Sequence, residues 1–73
     1  MIAARTLLAR LLARYPVGPG EPHHALTVNT AGELVVMLNL PGGWCDVVLE
    51  EPDLALGDDE LFAAIGDAAL NGG

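Results

Sequence analysis

The sequence predicts a single small α+β domain with an N-terminal amphipathic helix, a three-stranded antiparallel sheet and a C-terminal helix. An apolar stripe at helical spacing opens the chain, alternating apolar runs broken by two turn signals fill the middle, and a weaker helical stripe closes it. The 73 residues leave room for one domain and no more. A chain of this length buries only about 60–65% of the surface its unfolded form exposes, so nearly every Leu, Val and Ile is needed in the core.

Ala4, Leu7, Leu8, Leu11, Leu12 and Tyr15 fall at i, i+3, i+4, i+7, i+8 and i+11, which predicts a helix over residues 1–15. Pro16, Gly18, Pro19, Gly20 and Pro22 then make residues 16–24 a semi-extended linker that lacks several backbone donors. Residues 25–50 read as a meander. Ala25 to Asn29 is the first strand, and Thr30 to Glu33 a tight turn with Gly32 available for positive φ. Leu34 to Leu40 is the second strand, Pro41 to Gly43 the next turn, and Trp44 to Glu50 the third strand. Glu51 to Gly57 is expected to be a loop, with Asp58 capping a helix over 58–70 that Asn71, Gly72 and Gly73 end. Asp59 and Glu60 in the first turn complement the helix dipole. Leu61, Phe62, Ile65, Ala68 and Ala69 form its stripe, and Gly66 costs it about 1 kcal/mol relative to alanine.

The second strand is apolar on both faces. Leu34, Val36, Leu38 and Leu40 point one way, Val35 and Met37 the other. Cys45, Val47 and Leu49 continue the richer face; Trp44, Asp46, Val48 and Glu50 alternate onto the opposite one. Two arrangements satisfy this pattern. Either the helices sandwich the sheet, or they share one face and leave Val35, Met37, Trp44 and Val48 as an exposed patch suited to docking.

Charge narrows the function. Ten acidic residues against three arginines and no lysine give a net charge of −7. Backbone binding to nucleic acid needs clustered cations, so direct nucleic-acid binding is not expected. An acidic chain is steered instead toward basic surfaces, although the same charge also keeps a hydrophobic miniprotein in solution. One cysteine, Cys45, makes no internal disulfide, which fits a cytoplasmic location. Residues 1–15 carry three arginines and no acid, superficially like a membrane-surface helix. They contain no 18-residue apolar run and no signal-peptide pattern, so no membrane association is expected.

No residue set recommends catalysis, a cofactor or a metal. His23 and His24 are adjacent in an extended segment and point in opposite directions, which suits solvated loop histidines better than chelation. With Cys45 they have neither an oxyanion hole nor an orienting third group, so the chain is not expected to be an enzyme. Pro41-Gly42-Gly43-Trp44 is followed by no lysine and opens no helix, which leaves a hairpin turn rather than a phosphate cradle. Trp44 is either a cap on the core edge or an interface anchor. Six of the ten acids, Glu50, Glu51, Asp53, Asp58, Asp59 and Glu60, lie within eleven residues. They are a solvated loop with helix capping or a patch for a basic partner. Arg5, Arg10 and Arg14 flank the first helix's stripe, and internal pairing can consume part of both charge patches.

From Met1-Ile2-Ala3-Ala4-Arg5 to Asn71-Gly72-Gly73 the chain resembles, in size, GC-rich composition and element order, the small transcription regulators of lytic Xanthomonas phage that bind host RNA polymerase. The resemblance implies binding near the N-terminus of the polymerase β′ subunit in the host cytoplasm. It further implies inhibition of initiation through interference with σ-factor engagement, and antitermination. On clustering alone, the expected partner-binding residues are Glu50, Glu51, Asp53, Asp58 and Asp59, with Trp44 and Met37 as apolar anchors. The alternatives are an acidic DNA mimic of the anti-CRISPR or anti-restriction kind, a membrane-surface helix, and a small interaction module within a larger assembly.

Overall fold

The computed structural model describes residues 3–72. In chain order the elements are α1 (Ala4–Arg14), β1 (Ala25–Val28), β2 (Leu34–Leu40), β3 (Gly43–Leu49), α2 (Glu51–Leu54) and α3 (Asp58–Gly72). The α+β class and the meander follow the sequence pattern closely. Met1 and Ile2 of the expected first helix, and Gly73 of the expected terminator, lie outside the described residues.

The sheet has order β1-β2-β3 with both pairings antiparallel. Val36 is the register mark, lying opposite Leu26 on one side and Val47 on the other. The turns shift by one residue from expectation: Asn29 leaves the first strand to open its turn, while β3 begins at Gly43 and ends at Leu49, releasing Glu50. Asn29 Oδ1 accepts hydrogen bonds from the Ala31 and Glu33 amides at 3.0 and 2.9 Å, and Gly32 takes φ +82°. Leu40 pairs with Gly43, so Pro41 and Gly42 form a two-residue connection.

Both long helices pack on one face of the sheet. Leu7 and Leu11 of α1 and Leu61, Ile65 and Ala69 of α3 are buried with Val36, Leu38, Cys45, Val47 and Leu49 in one core. Each fully buried Leu or Ile contributes about 1.5–3 kcal/mol of transfer free energy. Of the two arrangements open to the sequence, the structure adopts the one in which the helices share a face.

Four further details differ from expectation. The segment after β3 is not a plain loop, because Glu51–Leu54 forms a helical turn. Pro52 lies in its first turn, and the Glu50 amide donates to Asp53 Oδ2 at 2.9 Å. Asp58 does not cap α3. It is the first helical residue, and Gly57 at the cap position accepts from the Leu61 amide at 2.8 Å. The helix also runs on through Asn71 to Gly72, where the last carbonyls can be satisfied by solvent. Finally, Ala68 is exposed, because Ala69 continues the i, i+4 row set by Leu61 and Ile65.

His24 is the largest correction. It is not a solvated loop residue but is 5% exposed, while His23 is fully outside the core. Its Nδ1 accepts the Asn39 amide at 3.0 Å, and its Nε2 lies 2.6 Å from the Tyr15 carbonyl. A backbone amide can only donate and a carbonyl can only accept, so the ring is the neutral imidazole protonated on Nε2. The physical reason for burial is position. His24 immediately precedes β1, where one more extended residue brings its ring between the end of α1 and the end of β2.

Gly66 has a packing role that its helix propensity conceals. A Cβ at this position would lie 3.2 Å from the Tyr15 hydroxyl. That tight approach offsets the roughly 1 kcal/mol that alanine would otherwise contribute.

Two stability outcomes are expected. His24→Ala leaves the Asn39 amide and the Tyr15 carbonyl unpaired, lowers stability by about 2–4 kcal/mol in urea unfolding, and accelerates Asn39 amide exchange. Unchanged stability would remove His24 from the core account. Gly66→Ala gains nothing in the wild-type chain but stabilises by up to about 1 kcal/mol in a Tyr15→Phe background, read from paired thermal melts.

Candidate docking surface

Strand alternation places Ala25 and Thr27, Val35, Met37 and Asn39, and Trp44, Asp46 and Val48 on the face opposite the helices. No helix contributes to this face. Val35 is nonetheless buried, flanked by Thr27 on one strand and Val48 on the other. Around it Met37 is half-buried, Val48 is 42% exposed and Trp44 is 50% exposed. The result is a buried Val35 ringed by the partly exposed apolar side chains of Met37, Val48 and Trp44, the kind of patch that marks an interaction site.

The electrostatics of this face are one-signed. Asp46 lies directly opposite Met37, and no strand carries a basic residue. Arg5, Arg10 and Arg14 all lie on α1, which packs against the other face. Two of them are occupied internally. Arg10 reaches Asp59 at 3.0 Å and stacks 4.5 Å from the Phe62 ring centroid, while Arg14 lies 4.9 Å from that of Tyr15. The Asp59 side chain is 92% exposed, so the ion pair contributes at most about 1 kcal/mol.

The residues singled out from sequence lie on different elements. Met37 and Trp44 come together on the open face, as diagonal neighbours on paired strands. The acidic group is carried by the short helix α2, the residue before it and the start of α3. Asp53 holds the Glu50 amide, Asp59 is drawn to α1, and Glu51 and Asp58 are exposed at the starts of different helices. Asp46 and Glu21 lie outside the clustered acids of the sequence. Asp46 was recoverable from strand alternation, but Glu21 becomes visible only when the linker is seen lying beside the β2–β3 turn.

A groove of about 390 Å³ runs along that junction, lined by Pro16, Val17, Glu21, Asn39, Pro41 and Trp44 among others. The Asn39 side-chain amide donates to the Pro22 carbonyl at 2.9 Å and to Glu21 Oε2 at 3.4 Å, tying the linker to β2. Among the described residues no group of three or more His, Cys, Asp and Glu side chains is arranged to hold a metal ion. Cys45 is a free thiol within the core. No helix among the described residues is long and apolar enough to cross a membrane. No protein-family model, curated protein or solved structure matches the chain.

Adjacent valines on β3 distinguish the two faces. Val48→Lys is expected to leave stability within about 0.5 kcal/mol, because the side chain enters solvent. Val47→Lys places a charge among Val36, Leu61 and their neighbours and is expected to abolish cooperative unfolding. Equal losses in denaturant titrations would contradict the open face.

Proposed function

We propose that the protein is a small, non-enzymatic regulator that acts by occupying a basic surface of a larger protein, and that this protein is bacterial RNA polymerase. The observation that carries the docking role is the sheet face that no helix covers, where Met37, Val48 and Trp44 surround the buried Val35, with Asp46 beside them and every arginine on α1. A hydrophobic patch with acid and no counter-charge of its own is complementary to a basic surface with apolar contacts. It is poorly complementary to a second copy of itself, which would set Asp46 and the rest of a −7 chain against like charge.

RNA polymerase enters through the resemblance of the whole chain to phage transcription regulators. Enzymes that handle nucleic acid present the basic surfaces that such a face requires. In this reading the protein sits near the N-terminus of the β′ subunit in the host cytoplasm, obstructs σ-factor engagement at initiation and favours read-through at terminators. It binds no nucleic acid directly and needs no cofactor.

Purified protein is expected to co-migrate with core RNA polymerase on a native gel, to be reduced by σ, and to be unaffected by competitor DNA. Val48→Lys, which preserves the fold, is expected to weaken retention by about 30-fold if Val48 is a central contact. No retention of the wild-type chain refutes the polymerase assignment, and displacement by DNA would identify a DNA mimic instead.

A further inference from the structure

We infer that the groove between the linker and the β2–β3 turn is the seat for an arginine side chain of the partner. The inference rests on the docking role proposed above and adds the contact that selects the partner.

The three aromatic rings of the chain are treated differently by the fold. Phe62 carries Arg10 at 4.5 Å and Tyr15 carries Arg14 at 4.9 Å. Trp44, whose indole attracts cations most strongly of the three ring types, has no such arginine among the described residues and is half exposed. It shares its groove with Glu21, and no basic residue lines that groove. The Asn39 side chain, bonded to both the Pro22 carbonyl and the Glu21 carboxylate, fixes the linker at this point. The half-exposed indole of Trp44, the Glu21 side chain and the apolar Pro16, Val17 and Pro41 thus border one opening. Arginine matches all three, since its plane stacks on the indole, its donors reach the carboxylate and its methylenes lie along the prolines. The charge of the groove and the missing internal cation select a cationic occupant, and its continuity with the open face through the paired residues Asn39 and Trp44 places that occupant at the edge of the docking surface.

Titration with a hexa-arginine peptide, followed by the Trp44 indole resonance in NMR, tests the seat. Glu21→Gln and Trp44→Leu are each expected to weaken binding roughly two- to fivefold. Asp58→Asn removes the same charge at an exposed helix start and is expected to change affinity by less than about twofold. Equal effects of Glu21→Gln and Asp58→Asn, or an unmoved indole resonance, would show that the peptide senses net charge alone and would overturn the inference. Should Trp44→Leu fold poorly, Glu21→Gln and the indole resonance decide the matter. The same variants on the polymerase gel separate the two proposals. Groove-specific peptide binding without polymerase retention refutes the target and keeps the seat. Undiminished retention of Glu21→Gln, together with weakened retention of Val48→Lys, refutes the seat and keeps the docking face.

Discussion

The imidazole of His24 joins three pieces of backbone through two hydrogen bonds in the interior. Its Nε2–H is donated to the Tyr15 carbonyl at the end of α1, its Nδ1 accepts the Asn39 amide on β2, and its own backbone begins β1. The linker between these points contains Pro16, Pro19 and Pro22, which offer no amide hydrogens and so form no ladder of their own. The His24 bonds therefore add to the hold that Leu7 and Leu11 give α1 on the sheet. With the clip made, the Tyr15 ring stands edge-on to the imidazole at 6.3 Å and its hydroxyl rests against Gly66 of α3. One neutral histidine therefore fixes the position of the first helix, the course of the linker and, through Tyr15, the approach of the last helix.

The same clip shapes the outer surface. Asn39 is bonded through its amide to His24 and through its side chain to Pro22 and Glu21, so the residue that secures the helix also draws the linker against the β2–β3 turn. Trp44 lies opposite Asn39 in the ladder. The groove beside Trp44 is thus a direct consequence of how the linker is anchored, and its geometry is tied to core stability rather than to a mobile surface loop.

The sequence was most legible where periodicity and turn chemistry act locally. Leu7 and Leu11 lie where spacing alone places them, and the two hairpin turns fall within one residue of the expected Thr30–Glu33 and Pro41–Gly43, because each depends on neighbours within a few residues. Glu51–Leu54 carried a signal that the loop assignment overrode, namely a proline at a first helical turn with an acid three residues after Glu50. His24 carried none, since its partners are nine and fifteen residues away and appear only once the linker has folded back. The acidic run from Glu50 to Glu60 covers the residue after β3, the whole of α2 and the start of α3, a division among elements that closeness in sequence does not reveal.

The uncovered face follows from where the helices pack. α1 and α3 supply Leu7, Leu11, Leu61, Ile65 and Ala69, which cover Val36, Leu38, Cys45, Val47 and Leu49 on one side of the sheet. Among the described residues no helix packs on the other side of the three strands. Most small two-layer domains leave that side polar, with apolar and polar residues alternating along each strand. Here β2 departs from alternation at Val35 and Met37, and β3 departs from it at Trp44 and Val48, at positions that the register brings side by side. Neither the core nor the turns require apolar residues there. The departure is confined to one face, accompanied by Asp46 and free of arginine, and it is coherent as a surface whose missing layer is provided by another protein.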